Sequence, residues 1–319
     1  MTLEEGADGG TGGPLRVSSP TEERNPRTLD IDAVPVLALL ELINDEDATV
    51  PGVVRRVLPD LATLVEITAE RLRAGGRVHY FGAGTSGRLG LLDAAEIPPT
   101  YGLASGVFVA HLAGGDDAFR VAREGSEDDD AQGEAEARAA VAPGDVVVGL
   151  ASSGYTPYVR GGLRGGRAVG AHTALVTSNP GAPLAAEADT CICVDTGPEV
   201  ITGSTRMKSG TAQKLVLNAF STAVMVRTGR TWSNLMVEMV PSNRKLQGRV
   251  LRMLGQATGQ DEARCEAALS AAGGEAKTAL VMLRAGVGAG AAREALTASD
   301  NVVAAALDRL RRQEGPPAS

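Results

Sequence analysis

Five short runs rich in β-branched and apolar residues recur between residues 77 and 197: RVHYFGAG (77–84), GVFVAHLAGG (106–115), DVVVGLASSG (145–154), HTALVTSNPG (172–181) and CICVDTG (191–197). Each has strand length and most end in glycine or hydroxyl residues. The stretches between them, 86–96, 116–140, 157–167 and 182–188, carry helical character. Strand and helix in alternation leave few topologies, because right-handed crossovers put helices on both faces of a parallel sheet. The expected fold is α/β: a five-stranded parallel sheet covered by helices on both faces. Ligands of such sheets bind outside the carboxyl ends of the strands.

The flanks read differently. Residues 1–20 have almost no apolar periodicity and are expected to be disordered. An arm at 21–58 is expected to be helical, with NDEDATVPG as a turn and Pro59 as a kink or break in the following helix. The sheet domain spans 59–231, and 203–227 reads as a buried helix that closes it. Beyond Trp232 the composition shifts to Ala, Leu and Arg with glycine-marked breaks, so 232–319 is expected to be a small bundle of short helices.

Composition bounds the function. With 319 residues, 43% of them hydrophobic, the chain builds its own core without metal or disulfide staples. A net charge of −8, one Trp, four Tyr and four Phe offer neither a basic groove nor stacking platforms, so no nucleic acid is expected. No run approaches the ~18 consecutive apolar residues of a membrane helix, and the N-terminus is acidic and glycine-rich where a secretory signal is basic and then apolar. The expectation is a cytoplasmic protein without a membrane partner. Cys191 and Cys193 stand at strand spacing with Cys265 far away, which is no ligand set; buried thiols and no metal are expected. His79, His111 and His172 fall in or beside the strand runs, so carboxyl groups lead the candidates for acid–base chemistry.

Three segments carry candidate chemistry. The first loop reads Gly82-Ala83-Gly84-Thr85-Ser86-Gly87-Arg88. Its glycines let backbone N–H groups and a helix dipole converge on an anion, and Thr85 and Ser86 suit the oxygens of a single phosphate. A dinucleotide site would need an acid at the end of the second strand, which instead ends His111-Leu112-Ala113-Gly114-Gly115; a P-loop would need Lys-Ser/Thr after the glycines. The third run ends in a second hydroxyl loop, Ser152-Ser153-Gly154-Tyr155-Thr156-Pro157, which meets the first if strands 1 and 3 are neighbours. Ser153 or Thr156 equally reads as a helix cap. The third segment, Glu199 to Lys208, offers Ser204 and Thr205 as caps or ligand contacts and Arg206 or Lys208 to neutralise a phosphate or carboxylate.

HYFGAGTSGRLGLLDAAEIPPTYG, AGGDDAFRVAREGSEDDD, GLASSGYTPYV and EVITGSTRMKSGTAQKLVLNAFSTAVMVRTGRTWSNLMVEM, with TEERNPRTLDID (21–32) and INDEDATVP (43–51), closely resemble the N-acetylmuramic acid 6-phosphate etherases of the sugar-isomerase (SIS) superfamily. Glucokinase regulatory protein looks like a more distant relative. The resemblance covers about 21–250. It implies an SIS-type domain, a homodimer, and a carbon–oxygen lyase that works without metal or cofactor on the open-chain aldehyde of the sugar. It also implies that Glu96 protonates the departing lactyl oxygen and later activates water, while Glu127 removes the C2 proton. Such a pair needs environments that push the two pKa values apart. The loops and the start of the closing helix supply the expected phosphosugar contacts: Gly84, Thr85, Ser86, Ser152, Ser153, Gly154, Thr156, Ser204 and Lys208.

Read from the residues alone, Glu96 ends a helix before Pro98-Pro99, and Glu127 lies in an acidic run with Glu124 at i−3 on the same helical face. The long N-terminal tail and Ile97, where the family often has cysteine, are the departures. Two other readings stand beside the lyase: a non-catalytic sugar-phosphate sensor, against which both glutamates argue, and a nicotinamide-dependent oxidoreductase, against which the missing ribose acid argues.

Overall fold

The structure, a computed structural model, describes residues 17–121, 123, 125–239 and 244–313. Residues 1–16 of the tail expected to be disordered lie outside the described residues, but its end is ordered. Ser19 is buried, its hydroxyl accepts from the Thr21 N–H, and a 3₁₀ turn follows at Pro20–Glu22.

Helices α1 (Val36–Asp47) and α2 (Val50–Arg73) are parted only by Ala48 and Thr49, so most of the segment expected as a turn is helical. Pro51 falls in the first turn of α2, where a missing N–H removes no intrahelical bond. Pro59 does not break α2, which runs on across the expected 58/59 boundary. Val54, Val57, Leu61, Leu64, Val65 and Thr68 form a buried stripe packed on β5 and α6 (bounds below), and that burial outweighs the local proline penalty.

The sheet follows the expected runs: β1 (Val78–Gly82), β2 (Phe108–Leu112), β3 (Val146–Leu150), β4 (His172–Thr177) and β5 (Thr190–Cys193), in the order β2-β1-β3-β4-β5 and parallel throughout. Strands 1 and 3 are neighbours, with Val78 opposite Val146 and Gly82 opposite Leu150. β1 and β3 are buried along their whole length, as strands covered on both faces must be. Alternate residues feed two cores. Val78, Tyr80, Val146, Val148 and Ile192 pack with α2, α3 (Gly84–Tyr101) and α6 (Lys208–Arg227). Phe81, Val147 and Leu175 pack with α4 (Asp130–Ala140) and α5 (Pro157–Ala168).

α5 tolerates four glycines because its neighbours leave no room for side chains. A Cβ on Gly161 would lie 2.0 Å from the Asp130 carbonyl oxygen, and one on Gly162 2.6 Å from the Phe81 ring. The helix expected over 116–140 is only partly present. Its first half is two 3₁₀ turns, Asp116–Phe119 and Ser126–Asp128, the second opened by Gly125 at φ +78°, a conformation a glycine adopts without strain.

After α6, a small hairpin of β6 (Thr231–Trp232) and β7 (Leu235–Met236) leads to α7 (Arg244–Thr258), α8 (Glu262–Ala271), α9 (Ala276–Ala285), α10 (Ala289–Thr297) and α11 (Val303–Gln313). These helices have their own core around Val250, Leu254, Cys265, Leu280 and Val303. Lys277 ties them to the sheet domain: its buried ammonium donates to the Gly229 and Asn301 carbonyls and to the Glu238 carboxylate.

Candidate active site

The glycines of the first loop are needed for fit. A Cβ on Gly82 would lie 2.7 Å from Gly87 Cα, and one on Gly87 would meet Leu112 at 2.4 Å. Strand and helix therefore approach closely, Gly84 takes φ +53°, and α3 starts there, so Thr85 and Ser86 occupy its first turn with their N–H groups free of intrahelical partners.

The second loop is pinned by β4 and the turn after it. The Ser152 carbonyl accepts from the Ser178 N–H and the Thr177 hydroxyl, and the Ser153 carbonyl accepts from Asn179 Nδ2. Gly154 has φ +71° and lies against Ala182. Thr156 holds the N-cap position of α5 but makes no side-chain cap, and the Ser153 hydroxyl accepts from the Tyr155 N–H.

The third segment is organised otherwise than by Ser204 or Thr205. α6 begins at Lys208, and its cap is Glu199, whose carboxylate accepts from the Lys208 and Ser209 N–H groups at 2.9 and 3.0 Å. A buried carboxylate at this end suits the helix dipole. Lys208 is itself buried; its ammonium donates to Glu46 at 2.7 Å, and Arg27 reaches the other oxygen of Glu46 at 2.6 Å. Burial pushes the Glu46 carboxyl up, but Lys208, Asn25 and Arg27 more than offset this and hold it below the usual carboxylate value. The arm is thereby fastened beside the strand ends, with the Thr28 hydroxyl on the Val200 carbonyl and Asn179 Nδ2 on the Ser18 carbonyl.

The start of α6 joins the two hydroxyl loops. A Cβ on Gly210 would lie 3.6 Å from Thr85 Cγ2, and Gln213 Nε2 donates to Ser152 Oγ at 3.2 Å. Gly84, Thr85, Ser86, Ser152 and the first turns of α6 thus surround one region at the carboxyl ends of β1 and β3. Glu127, together with Gly84, Arg88, Arg123 and Ser126, lines a cavity of about 160 Å³ that shares Gly84 with the first loop. Of its two guanidinium groups, Arg123 pairs with Asp117 at 2.7 Å and Arg88 donates to the Ala118 and Phe119 carbonyls.

Glu96 is elsewhere. α3 does not end before Pro98-Pro99 but runs on to Tyr101, where Gly102 caps it in the left-handed conformation, so the helix-end reading of Glu96 does not hold. Its exposed carboxyl lies twelve residues along α3 from Gly84, an axial distance of about 18 Å at ~1.5 Å per residue. It does not line the cavity of Glu127. Glu124, expected on the same helical face as Glu127, lies outside the described residues.

The histidines are built into the sheet. Asp145 Oδ2 lies 3.2 Å from His79 Nε2, and His79 Nδ1 lies 3.0 Å from His111 Nε2. An ionised Asp145 accepts only, so both rings carry the proton on Nε2. Burial, reinforced by His79 and Arg77, lowers His111 to about 4. His172 starts β4 and bonds Thr190. The thiol of Cys265 is buried, those of Cys191 and Cys193 half-buried, and burial raises all three above the usual thiol value. Sequence reasoning passed over Glu46, Asn179, Glu199 and Gln213. Nothing local marks them: Glu46 stands between Asp45 and Asp47, and Asn179 between Ser178 and Pro180.

The glucokinase regulatory protein N-terminal SIS domain matches residues 60–166, and the SIS domain matches 127–223. An N-acetylmuramic acid 6-phosphate etherase of Thermobifida fusca is 57% identical over 84% of this chain and 88% of its own length. That of Symbiobacterium thermophilum is 53% identical over 84% and 89%, and that of Serratia proteamaculans 47% over 91% and 98%. Among solved structures, a phosphoheptose isomerase from Neisseria gonorrhoeae superposes with a TM-score of 0.48 at 18% identity, over 60% of this chain and 98% of that one.

Proposed function

The chain belongs to the N-acetylmuramic acid 6-phosphate etherase family, and from that premise we infer how its residues carry out the reaction. It is a carbon–oxygen lyase of amino-sugar recycling that cleaves the D-lactyl ether of N-acetylmuramic acid 6-phosphate, giving N-acetylglucosamine 6-phosphate and D-lactate. The observation that supports the site is the meeting of Thr85, Ser152 and the start of α6 beside the cavity of Glu127. Hydroxyls and helix N–H groups there suit a phosphate, and a carboxylate stands next to them.

An alkoxide is a poor leaving group, so the C–O bond is broken by elimination. In the open-chain sugar the aldehyde acidifies the C2 proton, which Glu127 removes. The electron pair moves onto the aldehyde oxygen and then expels the lactyl oxygen from C3, to which Glu96 gives a proton. Water adds to C3 of the unsaturated aldehyde with Glu96 as base, and C2 regains a proton. Each positioned carboxyl contributes about 10²–10⁴ in rate.

Because Glu96 lies near the C-terminal end of α3 while Glu127, in the 3₁₀ turn Ser126–Asp128, shares a cavity with Gly84 at its N-terminal end, the reaction uses Glu96 from a second copy of the chain, in a homodimer. Leu92, half exposed one turn before Glu96, supports a protein contact on that face. Incubation with the substrate tests the activity: release of D-lactate and N-acetylglucosamine 6-phosphate supports it, and tight binding without lactate favours a sensor. Mixing tests the shared site. Glu96→Ala and Glu127→Ala, each inactive alone, should regain about a quarter of wild-type activity when dissociated and reassociated together, since half the dimers then hold one intact site. Sites that lie within one chain would give no recovery.

A further inference from the structure

Gln213 is 1% exposed, in the second turn of α6, and its Nε2 donates to the hydroxyl of Ser152, itself 8% exposed. Its carboxamide oxygen is buried and has no hydrogen-bond partner among the described residues. A side chain kept only to fill space would avoid a half-satisfied amide, which a methionine of similar length does. The backbone of Ser152 is fixed by bonds from Ser178 and Thr177, so rotation about its Cα–Cβ bond and its hydroxyl torsion are what remain free.

A serine hydroxyl has one proton and two lone pairs. With an amide N–H already donated to it, the oxygen is held as an acceptor towards α6 and the proton is left to be donated elsewhere. A phosphate accepts hydrogen bonds and does not donate when fully ionised, and a hydroxyl whose oxygen is already held as an acceptor is kept from turning its proton towards Gln213 and away from the phosphate. We propose that Gln213 is a positioning residue for phosphosugar binding, which orients Ser152 as a donor to the phosphate. The inference rests on the reading of the Ser152 loop as the phosphosugar site, and it gives α6, whose Lys208 is paired with Glu46, a part in recognition through Gln213.

The test is steady-state kinetics with N-acetylmuramic acid 6-phosphate, and inorganic phosphate as competitive inhibitor, on Gln213→Met, Ser152→Ala and the double variant. Gln213→Met should raise KM and the phosphate inhibition constant by about tenfold with kcat within about threefold, the pattern of lost binding common to ground and transition states. In the double variant the loss should be no larger than in Ser152→Ala alone, because one residue acts through the other. Gln213→Glu, which keeps the size and replaces the donor by an acceptor, should raise both constants at least as much. Unchanged constants in Gln213→Met or Gln213→Glu, or additive losses in the double variant, overturn the inference while Ser152→Ala still weakens binding. Unchanged constants in Ser152→Ala as well overturn the loop reading beneath it.

Discussion

Replacing Asp93 by asparagine should stabilise the protein at neutral and alkaline pH. Asp93 lies one turn before Glu96 in α3, 8% exposed, where it accepts from the Tyr80 hydroxyl of β1 at 2.8 Å and the Ser221 hydroxyl of α6 at 2.9 Å. Burial raises its carboxyl from 3.8 to about 6, although both hydrogen bonds favour the charged form. The folded value is the higher one, so the contribution to stability is fully present below about pH 4 and is lost as pH rises through about 6. At ~1.36 kcal/mol for each pH unit, the interval amounts to about 3 kcal/mol of destabilisation above pH 7. Asparagine keeps the shape without the charge: its Oδ1 accepts from one hydroxyl, and its Nδ2 donates to the oxygen of the other, whose proton turns away. Urea unfolding of wild type and Asp93→Asn should show the variant more stable by up to about 3 kcal/mol near pH 8, with the gap closing towards pH 4. A gap independent of pH, or a less stable variant near pH 8, would refute the reasoning.

Glu46→Gln leaves the buried Lys208 ammonium without its carboxylate and should cost about 3–5 kcal/mol in urea unfolding, whereas replacing both residues by methionine should cost much less. A cost for Glu46→Gln below about 1 kcal/mol would mean the pair does not fasten the arm. Gly161→Ala drives a methyl group into the Asp130 carbonyl and should lower stability by about 3 kcal/mol or more, measured as a fall in Tm; an unchanged Tm would show that α4 and α5 part without penalty.

The sheet was legible because β1 to β5 are runs bounded by turn residues, and parallel topology leaves little choice of how to join them. The two hydroxyl loops followed, since the ends of neighbouring parallel strands must be close. Local signals misled where tertiary burial decides. Pro59 and the Pro98-Pro99 pair read as helix breakers, yet α2 and α3 run through them because buried stripes hold both helices. Glu127 was hidden in an acidic run, and nothing in its neighbours says that Gly125 turns it towards the first loop. The partners of Lys208 and Ser152 were not legible, because Glu46 lies 162 residues from the one and Gln213 61 residues from the other. Such pairings depend on how α1 and α6 pack, which no local pattern specifies.

The division of labour between Glu127 and Glu96 is tested most directly by turnover in deuterium oxide, with the C2 isotope and D-lactate followed together. The wild-type protein should release D-lactate and place deuterium at C2 of N-acetylglucosamine 6-phosphate. Glu127→Ala should suppress both, and Glu96→Ala should stop lactate release while C2 exchange of added product continues. Lactate released without deuterium at C2, or near wild-type turnover in both variants, would contradict the account.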